Sequence, residues 1–186
     1  LGNLNDNFSE INFEKIDINK LPELEQYMLH KISVLNEKFQ KNFESYNFHN
    51  LYKELLIFCT VDLSSFYFDI RKDCLYCDSI DSQKRKDCIN VLNIILDCLL
   101  KWFAPILSFT TEEIYRLLSK DKESSIHLKK FPIIPSNWNN EIIEKNWAKL
   151  IKIRNEVNAS IEMKRADKLI GSSLEASIKI KLGDNY

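Results

Sequence analysis

Basic side chains crowd around one polar connection in the middle of the chain, and they are its most suggestive chemical groups. Lys and Arg bind the phosphate oxygens of nucleic acids through charge and hydrogen bonds, so their clustering is typical of an RNA or DNA contact. The candidates are Arg71, Lys72, Lys84, Arg85 and Lys86 at this connection, and Arg154, Lys164 and Arg165 in a second basic stretch.

A purely structural interpretation competes with this one. Five aspartates lie among the first group of cations: Asp69, Asp73, Asp78, Asp81 and Asp87. They could form a network of surface ion pairs with the cations, or the charged side chains could simply form the solvated end of a helical hairpin. An exposed pair contributes at most about 1 kcal/mol to folding, so removing charge from an exposed Arg71 should hardly change stability.

Aromatic side chains could add base stacking, because unpaired RNA bases are recognised on aromatic rings. By composition the possible stacking residues are Tyr67, Tyr76, Trp102, Trp138 and Trp147. Trp102 and Trp147 stand in apolar stripes of helical spacing, which predicts that they pack in the core.

No pattern in the sequence predicts catalysis or metal binding. Glycine-rich phosphate loops and a Gly-x-Ser-x-Gly nucleophile are absent, and no His stands beside a Ser or Cys. Cys74 and Cys77 have half of a zinc-ribbon spacing without a second pair. We therefore expect no catalytic residue, no metal and no cofactor in this chain, with its 5 cysteines reduced in a cytoplasm and used for packing.

The elements that must position these groups are helices. Apolar spacing predicts one helix over residues 48–70 and another over 82–103, packed antiparallel so that the basic connection lies at one end. Pro105 should end the second helix. A further helix should begin with Thr110 as N-cap and Glu113 three residues later, a capping box.

The remaining segments complete an all-α helical bundle with a short C-terminal strand-like extension. Long helices are predicted from Pro22 to about Tyr46 and over 140–166. Gly171 is a candidate for a positive φ or for a close approach of the backbone, and the alternation from Ala176 is typical of a strand. The predicted domains are a linker at 1–20, the bundle at 21–168 and a junction segment at 169–186.

Composition and charge narrow the class of protein. Hydrophobic residues make up 45% of the 186 residues, with only 3 Gly and 4 Pro, which suits a helical core. No apolar run could span a bilayer, and the start LGNLNDNF resembles neither a signal peptide nor a natural N-terminus, which predicts a piece of a longer protein. The net charge of −1 argues against a strong DNA binder and leaves room for a local RNA site.

Two phrases carry a family resemblance: FYFDIRKDCLYCD at residues 66–78 and KWFAPILSFTTEEIY at 101–115. With LGNLNDNF at the start and GSSLEA at 171–176, they resemble the anticodon-binding helical domain of bacterial-type isoleucyl-tRNA synthetases, over nearly the whole chain. The second phrase is also similar to valyl and leucyl relatives.

The resemblance implies a non-catalytic part of a cytoplasmic, monomeric ligase that joins isoleucine to its tRNA. Its partners would be the anticodon stem-loop and the rest of its own chain. ATP, magnesium and a downstream zinc would belong to the full-length enzyme. A valyl-type domain and a helical protein–protein interaction module, the latter favoured by 6 basic against 11 acidic residues in the first 70, remain the alternatives.

Overall fold

A computed structural model describes residues 12–119, 123–181 and 183. Within these ranges the chain forms helices and no strand, which confirms the all-α prediction. The α-helices are α1 (Glu23–Glu44), α2 (Phe48–Ile57), α3 (Asp69–Cys77), α4 (Gln83–Phe103), α5 (Ser108–Leu118) and α6 (Glu141–Ala166). The chain divides into two compact units, Leu1–Asn140 and Glu141–Tyr186. The domain boundaries drawn from the sequence stay a prediction.

Helix α1 is the centre of the first unit because its apolar stripe packs against both α2 and α4. Met28, Leu29 and Ile32 are completely buried on this stripe, and Phe39 is nearly so. Each such side chain stabilises the fold by about 1.5–3 kcal/mol relative to an exposed position. The first turn of α1 contains two acidic residues, one of which is Glu23. The positive end of the helix dipole stabilises negative charge there.

The helix predicted to end at residue 70 continues to Cys77, so that prediction was too short. Its middle, Phe58–Phe68, is a π-helix that joins α2 to α3 without a break. The Ser65 hydroxyl donates to the carbonyl of Thr60 at 2.9 Å, five residues back, which fits this wider winding. Neither Gly nor Pro occurs in this stretch to interrupt the helix. Because α3 extends to Cys77, the polar connection to α4 consists only of residues 78–82.

Helix α4 ends at Phe103, two residues before Pro105, as predicted. The predicted capping box on the next helix is wrong, since α5 begins at Ser108 and Leu107 occupies its N-cap position. Hydroxyls still hold this turn: Ser108 Oγ donates to the Ala104 carbonyl and Thr111 Oγ1 to the Leu107 carbonyl, both at 3.0 Å. The connection between the two helices is thus closed by bonds to preceding carbonyls.

The loop after α5 is tied down by one carboxylate. Glu112 accepts hydrogen bonds from Ser125 Oγ at 2.8 Å and from the Ile126 N–H at 3.0 Å. Ile126 then packs in a small cluster with Leu100 and Tyr115. These contacts fix where the following segment, 128–133, lies on the surface of the first unit.

The second unit consists of α6 and an extended tail. Gly171 does not have a positive φ, which occurs at Lys168, where φ is 57°. The close approach allowed for Gly171 is present, since its N–H donates to Glu175 Oε2 at 3.0 Å and a Cβ added at residue 171 would lie 3.3 Å from Glu175 Oε1. Residues 176–181 lie outside any helix, and Ala176 has the extended dihedrals φ −91° and ψ 130°. A strand needs a neighbour to accept its backbone hydrogen bonds, and the described residues place none beside this segment.

Candidate nucleic-acid interface

A buried polar cluster joins α1, the π-helix and the two helices that flank the basic connection. Arg71 Nε donates to Glu25 Oε1 at 2.7 Å, and its Nη2 donates to Oε2 of the same carboxylate. The Tyr67 hydroxyl donates to Glu25 Oε1 at 3.1 Å and lies 3.4 Å from Cys88 Sγ. One fully buried carboxylate therefore gathers the polar groups of three helical segments.

Burial and the bonds to Glu25 together determine the protonation states of Cys88, Tyr67 and Arg71. Burial raises the pKa of the Cys88 thiol to about 11, and burial together with the Glu25 carboxylate raises that of Tyr67 well above its usual value. Although burial by itself disfavours a charged guanidinium, its bonds to Glu25 raise the pKa of Arg71. At neutral pH the cluster consists of one ion pair with a neutral phenol and a neutral thiol.

This geometry corrects the sequence interpretation of Arg71. Only 7% of the residue is exposed, and the edge of its guanidinium formed by Nε and Nη2 is bound to the Glu25 carboxylate. Four-residue spacing along α3 puts Arg71 on the same inner face as Leu75. The sequence suggested a surface cation because Arg rarely lies in a core without a partner, and Glu25 is 46 residues away.

The other cations of the connection do lie at the end of the α3–α4 hairpin, close to acidic neighbours. Lys72 Nζ is 3.3 Å from Asp69, and Lys86 Nζ is 3.6 Å from Asp81. Lys84 is exposed and Arg85 is half-buried. Their role in RNA binding stays a prediction, and the acidic neighbours weaken the positive potential that would attract a polyanion.

The second basic stretch lies on α6 in the C-terminal unit. Arg165 pairs with Glu162 at 2.7 Å, and Arg154 is half-buried. Lys164 lines a groove of about 450 Å³ between α6 and the extended tail, together with Lys152, Lys179 and Lys181. This groove collects lysines within one unit, and its role in RNA binding also stays a prediction.

The aromatic candidates separate by burial. Trp102, Trp138 and Tyr67 are completely buried, which confirms the core prediction for Trp102 and removes all three from base stacking. Trp147 is half-buried on α6. Only Tyr76 presents most of its surface, with 78% exposed, at the C-terminal end of α3.

The structure shows a second exposed tyrosine that the sequence analysis did not single out. Tyr46 lies in the turn between α1 and α2, and Tyr76 lies at the far end of the continuous helix that runs from α2 through the π-helix to α3. Of Tyr46, 81% is exposed. A sequence signal existed: the turn reads Ser-Tyr-Asn, with an aromatic residue where helices often end on Gly.

No metal or membrane feature accompanies these groups in the described residues. Across 12–119, 123–181 and 183, no three His, Cys, Asp or Glu side chains come together as metal ligands would. All five cysteines are free thiols, Cys74 buried and Cys77 exposed. None of the helices there is long and apolar enough to cross a bilayer.

Comparison with known proteins decides the family. The family model described as the anticodon-binding domain of tRNA ligase matches residues 25–180, most of the chain. The chain belongs to this family. The anticodon-binding domain so identified is also 63% identical over 182 residues to a protein of Pelagibacter ubique named isoleucine–tRNA ligase, covering 98% of this chain and 20% of that relative.

More distant relatives carry the same name. Proteins of Agrobacterium fabrum and Mesorhizobium japonicum named isoleucine–tRNA ligase are each 42% identical to this anticodon-binding domain, over 174 and 172 residues. The alignments cover 94% and 92% of the chain but 18% and 17% of those relatives. The domain thus spans about a fifth of the length of the curated relatives that it matches.

Proposed function

We propose that this domain binds the anticodon stem-loop of an isoleucine tRNA, as part of a longer chain that joins isoleucine to that tRNA. The observation that carries the proposal is the 63% identity over 182 residues to a protein named isoleucine–tRNA ligase. The same name on the relatives at 42% identity favours isoleucine over the valyl-type alternative.

The proposal assigns binding, not bond formation, to the described residues. Helices packed around a buried ion pair form a rigid body, and the surface of such a body can hold a loop of RNA in one place. Across the described residues, no three His, Cys, Asp or Glu side chains come together as a metal site would. The ATP, magnesium and zinc of the ligase are those that the resemblance implies. We assign them to other parts of a monomeric, cytoplasmic ligase.

A binding experiment on the 186-residue chain tests the proposal. We expect a 17-nucleotide RNA hairpin with an isoleucine anticodon loop to bind more tightly than the same hairpin with a valine anticodon. Hydrogen bonds to a base edge discriminate by about 1–3 kcal/mol, or about 5- to 150-fold. The measurement is fluorescence anisotropy with each labelled hairpin.

Salt dependence separates RNA binding from a helical protein-interaction function. Phosphate contacts release counterions, so log K should fall linearly with log salt concentration, with a slope of about −0.7 to −0.9 per phosphate. Equal binding of the isoleucine and valine hairpins would remove the assignment to an isoleucine tRNA. Absence of binding to either hairpin at low salt would leave the protein-interaction module as the better account.

A further inference from the structure

The turn between α1 and α2 holds a tyrosine in an unfavourable backbone conformation. Tyr46 has φ of 55°, while the Asn47 N–H donates to the Asn42 carbonyl at 2.8 Å and the Tyr46 N–H to the Phe43 carbonyl at 3.1 Å. These two bonds define a C-terminal helix cap whose left-handed position is normally Gly. A Cβ at this position crowds the following carbonyl oxygen, so folding alone would favour Gly at residue 46.

The ring of Tyr46 is the outermost member of a series of aromatic rings. Its centroid is 6.3 Å from that of Phe48, and Phe48 is 5.9 Å from Phe43. Phe131, from the loop after α5, lies 5.0 Å from Phe43 and 5.0 Å from Phe39 in the core. The exposed Tyr46 ring therefore contacts this series through Phe48.

A cleft with basic walls includes one ring of this series. It measures about 540 Å³, and Phe131 is part of its lining. Lys101, Lys129 and Lys130 line it as well, and Glu14 is the acidic residue among the described residues of this lining. Lys101 pairs with Asp97 at 2.7 Å, and Lys129 and Lys130 add two further basic side chains to the wall of the cleft.

We infer that this end of the first unit, rather than the α3–α4 connection, holds the unpaired bases of the RNA. A base would stack on Tyr46 beside Phe48, and the phosphates that follow it would lie along Lys129 and Lys130. Single-stranded nucleic acid is bound in this way, by aromatic platforms next to a positively charged groove. The inference rests on the proposed function and names the residues that carry it.

This combination of rings and lysines fits a protein partner less well than it fits RNA. Rings and lysines together suit a ligand with flat faces and a negative backbone, which describes an unpaired RNA strand. The end with Tyr76 lacks this arrangement because Asp73 lies one turn and Asp69 two turns before its ring on the same helix. The two tyrosines are thus nearly equal in exposure and different in their electrostatic surroundings.

The test uses three changes at residue 46 and a matched control. Tyr46→Gly and Tyr46→Asn remove the ring while keeping the left-handed turn, and Tyr46→Phe keeps the ring. Tyr76→Ala removes a tyrosine of equal exposure at the other end. The probe is the isoleucine-anticodon hairpin with 2-aminopurine in its loop, whose fluorescence is quenched when that base stacks on an aromatic ring.

We expect Tyr46→Gly and Tyr46→Asn to weaken RNA binding about 5- to 150-fold and to abolish the quenching, because stacking is worth about 1–3 kcal/mol per base. Tyr46→Phe and Tyr76→Ala should bind like the unmodified chain. The melting midpoint of Tyr46→Gly should not fall. In Lys129→Ala/Lys130→Ala the salt slope should become shallower by about 1.4 units.

Unchanged affinity of both ringless variants would overturn the inference while leaving the proposed function in place. So would a loss of affinity in Tyr76→Ala that equals the loss in Tyr46→Gly. If the unmodified chain binds the isoleucine and valine hairpins with equal affinity, the proposed function is wrong and the inference that rests on it is wrong too. A lower melting midpoint in both Tyr46→Gly and Tyr46→Asn would show that the ring serves the fold instead.

Discussion

Replacing Arg71 with Ala is expected to lower the free energy of unfolding by about 3–5 kcal/mol. The substitution leaves the Glu25 carboxylate fully buried without its guanidinium, and among the described residues only the Tyr67 hydroxyl still donates to it. A domain of this size is stable by about 5–15 kcal/mol, so the loss is a large fraction of the total. Urea denaturation followed by circular dichroism measures it.

Two comparisons separate this effect from the loss of any basic residue. Lys72→Ala removes the neighbouring exposed cation and should change stability by less than about 1 kcal/mol. Glu25→Leu/Arg71→Met removes both charges and should recover part of the loss, because no ion then remains buried unpaired. If Arg71→Ala destabilises no more than Lys72→Ala does, the ion pair is exposed in solution and Arg71 returns to the RNA candidates.

Truncating Trp102 to Ala is expected to destabilise the first unit by about 3–5 kcal/mol. The side chain is 0% exposed at the end of α4, and its ring stacks on Phe39 with centroids 5.7 Å apart. Removing it leaves a cavity beneath the aromatic series that supports Tyr46. The melting midpoint of the variant should therefore fall by several degrees at least.

Trp102→Phe provides the matched control. The indole N–H is buried and has no hydrogen-bond partner among the described residues, so Phe loses volume without losing a bond. We expect this variant to be destabilised clearly less than Trp102→Ala and to bind RNA normally when folded. A Trp102→Ala protein with an unchanged melting midpoint and no RNA binding would instead make Trp102 a stacking residue.

Helix content and order were predictable because they depend on local patterns. The stripe of α1 and the stop before Pro105 are properties of neighbouring residues, and the structure has them as predicted. Local patterns failed where a helix boundary has no strong signal. The run through residue 70 continues to Cys77, and the apparent capping box at Thr110 lies inside a helix that began at Ser108.

The candidate site was harder to predict because it depends on burial. Arg71 and Lys72 are adjacent and both basic, yet one lies in the core and the other in solvent. That difference depends on Glu25, which the fold brings to Arg71 from another helix. Tyr46 and Tyr76 likewise look alike in sequence. The packing of Phe131 against Phe43 connects the rings next to Tyr46 with a basic cleft, and the sequence does not show this contact.

The sequence by itself therefore determined that this chain is a helical bundle of the anticodon-binding type, since apolar periodicity and two long phrases are readable without coordinates. The tertiary structure decided which charges and rings meet solvent. It did so because exposure is set by contacts between residues far apart in the chain, such as Glu25 with Arg71 and Phe43 with Phe131. An RNA-binding surface consists of the side chains that these contacts leave exposed to solvent.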